Sequence, residues 1–260
     1  IYQGTLIDFF KNVKSECSSH SYLKCWKDQL KLKTTNLKVP FSHISVAQYM
    51  HDKIPNNSIM QFSILNSLRI WNMFSLDTSI ECYSNVGAFG IDGGLSTLIG
   101  QSLATEKLCF MVIGDLAFIY DMNSLSIREM KNNVRILLVN NNGGIEFKLN
   151  GEKKRERDKY IAAADYHGSS KGWATSCGFE YYSANSISEL IDITPKFISV
   201  SEKPIVLEVF VEDYDESDAY LKIVNENTSK NLNDRISIKG VVKRIVGEKK
   251  YNKLKHSIKG

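Results

Sequence analysis

What this 260-residue chain lacks excludes several classes at once. No apolar run comes near the roughly 18–20 residues of a membrane-spanning helix. With only 4 prolines, 24% charged residues and 43% hydrophobic residues, it has none of the composition of a disordered, collagen-like or solenoid chain. A net charge of +4 is too small to mark a nucleic-acid partner. Its five cysteines, Cys17, Cys25, Cys82, Cys109 and Cys177, are odd in number and form no C-x-x-C pair. They promise neither a disulfide framework nor a zinc site and fit a reducing cytoplasm. No G-x-S-x-G elbow is present, and the histidines do not fall at metal-ligand spacing. A secretory leader pattern is absent too. The chain opens on Ile1, which leads us to expect a piece of a longer polypeptide.

What is present is an alternation of short apolar strands with helices. Leu6, Ile7, Phe10 and Val13, then Tyr22, Trp26 and Leu30, recur at helical spacing. A break at Lys33-Thr34-Thr35-Asn36 and Pro40 makes 1–38 a linker or the end of a preceding domain. The pattern then predicts a helix from Ser45 to Lys53 and strands at Ser58–Leu65 and Ile80–Tyr83. A helix near 93–105 and the strand Leu108–Ile113 follow. Next come a helix from Gly114-Asp115 through about Met130 and the strand Val134–Val139. Ser186-Ile-Ser-Glu189 has the form of a capping box opening a helix towards Val200, and Ile205–Val211 reads as a strand. Nearly all-apolar strands between helices imply an α/β, doubly wound, mostly parallel sheet with helices on both faces. The domain would span 39–215. Residues 216–260 would form a basic helical tail with a solvated face (Ile236, Val241, Ile245, Tyr251 and Leu254 giving its periodicity) or, alternatively, a partner surface.

Eight of the 16 glycines lie between 87 and 144, at the ends of predicted strands. A ligand approaching the backbone at the carboxyl edge of a parallel sheet needs such a cluster. Gly87-Ala-Phe-Gly90-Ile-Asp-Gly93-Gly94 is either a tight strand-to-helix turn or an anion-binding loop. Its spacing departs from the dinucleotide fingerprint, and no acidic residue follows at the required distance. Asp115 is either a helix N-cap or a divalent-cation ligand beside the N–H groups of Leu116 and Ala117. Asn140-Asn141-Asn142-Gly143-Gly144 is either an Asn-Gly turn or a source of neutral oxygen ligands for Mg2+. Asp115 and Asn141 end two consecutive strands, 26 positions apart. If those strands are neighbours, both side chains meet at one edge and make a site for Mg2+ plus a diphosphate.

Gly114-Asp115 followed by Asn140-Asn141 resembles the signature of thiamine-diphosphate (ThDP) enzymes. The form Gly114-Asp-Leu-Ala-Phe-Ile-Tyr-Asp-Met-Asn-Ser-Leu125, together with Asn66-Ser67-Leu68 and Tyr83–Gly93, is similar to the synthase family of menaquinone biosynthesis. The resemblance covers about 40–215. It implies a ThDP-binding fold in which Asp115, the Asn141 side chain and the Gly143 carbonyl bind Mg2+ (or Mn2+). It also implies that Leu116 and Ala117 face the diphosphate and that Gly90 and Ile91 lie by the cofactor, with Ile91 as the wedge that bends it. The implied activity is decarboxylation of a 2-oxo acid and transfer of the carbanion to an acceptor, by a transferase or lyase. A homodimer or homotetramer is implied as well. The catalytic glutamate would come from a pyrimidine-binding domain upstream or on another chain, so that this chain is not active alone.

Two departures bear on the substrate. The family places arginines for substrate carboxylates where this chain has Trp71 and Val86; Ser67 and Arg69 remain as substrate candidates, Arg69 sharing a face with Trp71 if the segment is extended. A simple 2-oxo-acid decarboxylase or an acetolactate-synthase-like enzyme is therefore an alternative, as is a non-catalytic dimerisation or regulatory domain. A dinucleotide-binding dehydrogenase is a third. His167, and Arg155 and Arg157 in the run Lys153–Arg157, read as surface-loop residues, with contact to an acidic substrate as the alternative for the arginines.

Overall fold

Cys109–Gly114 and Val134–Asn140 are buried along nearly their whole length, and a strand that hides both of its faces belongs inside a sheet covered on two sides. The computed structural model describes residues 21–31, 33, 35–88, 90–146 and 168–234. It divides into two units, 1–34 and 35–260. Of the first, the described residues are Lys33 and helix α1, Ser21–Lys31, an amphipathic segment whose Tyr22 and Trp26 rings meet edge-on at 6.1 Å.

The second unit holds α2 (His43–Met50), β1 (Ile59–Phe62), α3 (Asn66–Trp71), β2 (Glu81–Ser84), α4 (Gly94–Leu103), β3 (Cys109–Gly114) and α5 (Asp115–Asp121). A 3-10 turn, Met122–Ser126, leads on to β4 (Val134–Asn140), α6 (Lys171–Ser176), β5 (Glu180–Ala184), α7 (Ile187–Ile198), β6 (Ile205–Phe210) and α8 (Asp213–Asp234). The six strands are all parallel, in the order β2-β1-β3-β4-β6-β5. Alternation along β3 divides the core. Phe110 and Val112 pack with Met50 of α2, Trp71 of α3, Phe197 of α7 and Ile223 of α8 on one face. Cys109, Met111 and Ile113 pack with Leu98 of α4, Phe118 of α5 and Ala174 of α6 on the other. The sheet is thus doubly wound. The chain runs from β1 outwards to β2 and then returns past β1 to β3, so the strand order reverses at β1/β3. Crevices for ligands open at such points, beyond the carboxyl ends of the strands.

The structure moves several predicted boundaries. Helix α2 starts two residues earlier than expected because Ser42 is the cap: its Oγ accepts from Ser45 N at 3.3 Å, and Ser45 Oγ accepts from Ser42 N at 2.9 Å. At α7, Ser186 Oγ accepts from Glu189 N at 3.3 Å, while the Glu189 carboxylate reaches Asn185 N at 2.8 Å rather than the cap residue. The long helix expected to run to Met130 stops at Asp121 and tightens into the 3-10 turn. Residues 66–71 are helical, not extended: Leu65 at φ 66° ends the extended segment. Two residues apart on a helix face different directions, which places Trp71 in the core and leaves Arg69 partly exposed.

Strand β5 and helix α6 lie in a stretch for which no element was expected. The expected boundary between 215 and 216 falls inside α8, whose Ala219 and Ile223 are buried in the core. The first predicted helix (Leu6–Val13), Cys17, the run Lys153–Arg157, His167 and the tail beyond Asp234 lie outside the described residues. The other four cysteines are free thiols. Among the described residues no helix is long and apolar enough to cross a membrane.

Candidate functional site

Beyond the carboxyl ends of β1, β3 and β4 lies a cavity of about 360 Å3. Its walls come from Ser63–Ser67 after β1, Ile91 after β2, Gly114–Ala117 after β3 and Asn141 with Gly143–Glu146 after β4, joined by His43 and Tyr120. β3 and β4 pair directly, with Gly114 opposite Val139. Asp115 and Asn141 therefore emerge at the same edge of neighbouring strands.

Asp115 is 2% exposed and opens α5. Its Oδ1 accepts from Leu116 N at 2.7 Å and its Oδ2 from Gly143 N at 3.0 Å. Burial pushes its carboxyl up to about 6, against the backbone hydrogen bonds from Leu116, Gly143 and Asn142 that pull it down; the charge of Glu208 adds to the rise. Such a group is an anion short of positive charge. Because the Leu116 N–H is directed at Asp115, it is not a free donor to a second anion. Asn141 is 6% exposed, and its Oδ1 is buried without a hydrogen-bond partner. A buried, unpaired carboxamide oxygen costs about 1–3 kcal/mol, a cost that a cation would remove.

The turn that carries Asn141 is held in an unusual shape. Asn142 has φ 60° and Gly143 φ 144°, the second a conformation that side-chain-bearing residues seldom adopt. The Gly143 carbonyl accepts from Ile145 N at 3.1 Å, which leaves one lone pair. Among the described residues no group of three or more His, Cys, Asp or Glu is placed to hold a metal ion. What gathers here is a set of hard oxygens, one charged and the rest neutral. That set suits Mg2+ or Mn2+ with phosphate oxygens completing the shell, not a metal that selects thiolate or imidazole ligands. The described lining includes no lysine or arginine, so an incoming diphosphate would meet Asp115 and Glu146 unless a cation came with it.

Of the other expected residues, Ile91, Ala117 and Ser67 line the cavity and Gly90 does not. Arg69 is held outside the lining by a forked pair with Glu146: Nη1 to Oε2 at 2.7 Å and Nη2 to Oε1 at 3.3 Å, with Nη1 also 2.8 Å from Asn66 Oδ1. Trp71 is buried and donates from Nε1 to His43 Nε2 at 3.2 Å, whereas Val86 is 57% exposed.

Sequence reasoning missed His43, Tyr120 and Glu146 as cavity residues. His43 follows the Ser42 cap, and it is the cap position that could have pointed to it. Burial holds the His43 ring neutral, down to about 3, although Glu216 Oε1 lies 4.0 Å from Nδ1.

The six-stranded, doubly wound parallel sheet is consistent with a ThDP-binding fold, and the chain is homologous to a family of ThDP-dependent enzymes. Within them, its relatives are named 2-succinyl-5-enolpyruvyl-6-hydroxy-3-cyclohexene-1-carboxylate synthase. It is 35% identical to that of Christiangramia forsetii over 174 residues, 66% of this chain and 30% of the relative. It is 36% identical to that of Phocaeicola vulgatus over 175 residues, 66% and 31%. With the protein of Flavobacterium johnsoniae the identity is 30% over 223 residues, 83% of this chain and 40% of the relative. The chain thus spans about a third of the length of the curated relatives it matches. No family model matches the chain.

Proposed function

We infer that this chain is the diphosphate- and metal-binding domain of a ThDP-dependent enzyme that decarboxylates a 2-oxo acid and passes the carbanion to an acceptor, as part of menaquinone biosynthesis. The observation that carries the reading is the meeting of Asp115 with the Asn141–Gly143 turn through the Gly143 N–H, together with a buried Asn141 carboxamide oxygen that has no partner.

The residues present fit a Mg2+–diphosphate group. Asp115 would supply the charged ligand; the Asn141 Oδ1 and the free lone pair of the Gly143 carbonyl would supply neutral ones, with Mn2+ as a substitute ion. Leu116 and Ala117 would border the diphosphate and Ile91 would pack against the bent cofactor, with Gly90 in the adjoining turn. When bound, ThDP supplies the electron sink for decarboxylation. The chain's own part is to hold the metal, to exclude water with the apolar wall of Ile64, Leu65, Leu116 and Ile145, and to orient the reacting end. A glutamate from a pyrimidine-binding domain, upstream or on a second subunit of a cytoplasmic homodimer or homotetramer, completes the reading.

The positions of Trp71 and Val86 favour a second reading for the substrate. Neither position offers a cation, which suits a simple decarboxylase or an acetolactate-synthase-like enzyme. Product analysis of the full polypeptide with pyruvate and with 2-oxoglutarate separates the two. Calorimetry of the same polypeptide with ThDP and Mg2+ tests the domain assignment itself. Saturable, Mg2+-dependent binding is expected; a folded protein that binds neither is a dimerisation or regulatory module instead.

A further inference from the structure

Glu208 lies in β6 with no exposed surface. A carboxylate so placed is costly unless its oxygens are satisfied, and here neutral donors do it. Oε2 accepts from Tyr181 OH at 2.6 Å, Ser169 Oγ at 2.9 Å, Ser170 Oγ at 2.9 Å and Ser170 N at 3.0 Å. Oε1 accepts from Asn140 Nδ2 at 2.9 Å and more weakly from Ser170 N at 3.3 Å.

The contact with Asn140 has a consequence for the site. A carboxylate can only accept, so it fixes which end of the Asn140 carboxamide faces it. Nδ2 points at Glu208 and at Gly168 O, 2.9 Å away, and Oδ1 is therefore turned to accept from Asn142 N at 3.2 Å. Asn142 is the left-handed residue of the turn, and Gly143 N next to it donates to Asp115. One chain of hydrogen bonds runs from the buried carboxylate of β6, through Asn140, to the backbone that carries Asn141 and on to Asp115.

We propose that Glu208 is a positioning residue for the divalent-cation site: by fixing the Asn140 carboxamide it holds the Asn141–Gly143 turn in the shape that places Asn141 along the cavity with Asp115. This rests on the metal-site reading above and adds to it a residue that touches neither metal nor cofactor.

The test uses the full polypeptide, saturated with ThDP and titrated with Mn2+, whose paramagnetism reports binding without turnover. Glu208→Gln and Asn140→Ala each weaken Mn2+ affinity by about 10–100-fold, the usual effect of losing a partner behind a metal ligand. Tyr181→Phe removes a hydrogen bond from the same carboxylate without touching Asn140, and it leaves the affinity within about twofold, on the scale of that 10–100-fold effect. In the metal-free protein, hydrogen exchange at the Asn142 amide speeds up in Glu208→Gln and Asn140→Ala but not in Tyr181→Phe. A folded Glu208→Gln protein with unchanged Mn2+ affinity overturns the positioning role alone, and so does an equal loss in Tyr181→Phe. If Glu208→Gln does not fold, the contrast between Asn140→Ala and Tyr181→Phe decides. A wild-type protein that takes up no Mn2+ with ThDP overturns both this proposal and the reading beneath it.

Discussion

Asp115 Oδ2 accepts a hydrogen bond from Gly143 N at 3.0 Å, which ties the first residue after β3 to the turn after β4. The contact brings a carboxylate and a bent backbone to one point at the sheet edge. It also orders the consequences of mutation, since ligand and scaffold can be removed separately.

Asp115→Ala and Asn141→Ala each abolish Mg2+-dependent ThDP binding by the full polypeptide. They differ in their effect on the metal-free fold. The Asn141 oxygen has no partner to lose, so truncating it removes an unsatisfied buried group and raises the stability of the metal-free fold, by up to about 1–3 kcal/mol. Asp115 accepts backbone hydrogen bonds from Leu116, Gly143 and Asn142, and its loss lowers stability by about 1–3 kcal/mol. Calorimetry with Mg2+ and ThDP, beside urea unfolding of the metal-free proteins, checks both parts. Unchanged cofactor affinity in both variants removes the metal assignment.

The parts of this architecture legible in the sequence are those where burial is complete. β3 and β4 stand out because Cys109–Ile113 and Val134–Val139 are apolar almost throughout, and their ends mark Asp115 and Asn141 without further information. β5 hides because it is an edge strand: Glu180, Tyr181 and Tyr182 are only half-buried, and their polar groups bond to Glu208 or to each other. Asn66–Trp71 misleads because Phe62, Ile64 and Leu68 continue an extended alternation that a single positive φ at Leu65 interrupts. Glu208 is invisible for a related reason. A lone acid in Ile205-Val-Leu-Glu-Val-Phe210 gives no hint that six donor contacts converge on it from three other segments.

His43 makes the protein sensitive to acid. Its folded-state value of about 3 lies below the unfolded value of 6.5, and the cause is burial. Between those values the unfolded chain binds a proton that the folded one refuses. Stability from this group is complete above pH 6.5 and falls as the pH drops towards 3, by about 1.4 kcal/mol per pH unit. His43→Gln keeps an acceptor for the Trp71 N–H and removes the titration, so the difference in unfolding free energy between variant and wild type shrinks on acidification. Glu216, which accepts from the His43 backbone at 2.6 Å, is present in both proteins. Parallel pH profiles of the two proteins would exclude His43 as the source.

The Arg69–Glu146 pair is half-exposed, so it adds little to stability, about 0–1 kcal/mol. Its weight falls on recognition, because the guanidinium already holds a carboxylate. Glu146→Gln frees that fork while leaving the melting temperature nearly unchanged. In the full enzyme it lowers the KM for a 2-oxo acid bearing a second carboxylate by about tenfold relative to pyruvate, the worth of one charge-assisted hydrogen bond. If the ratio of the two KM values does not move, Arg69 has no part in substrate selection.

Placing an arginine at position 71, where the resemblance drawn from the sequence leads us to expect one, does not recover a carboxylate clamp. Trp71 sits in the core 5.9 Å from the Phe62 ring, and its N–H is engaged by His43. Trp71→Arg puts a guanidinium among Phe62, Ile44 and Phe110, and it destabilises by at least about 4 kcal/mol through an unpaired buried charge and a lost aromatic volume. Val86→Arg, at a position 57% exposed, changes stability by no more than about 0.5 kcal/mol. Urea unfolding of the two variants measures the contrast; a mild Trp71→Arg effect would mean that the side chain there reaches solvent. Helix α3 turns position 71 into the hydrophobic layer and position 69 towards Glu146, so an arginine that meets a substrate from this helix has to do so from position 69.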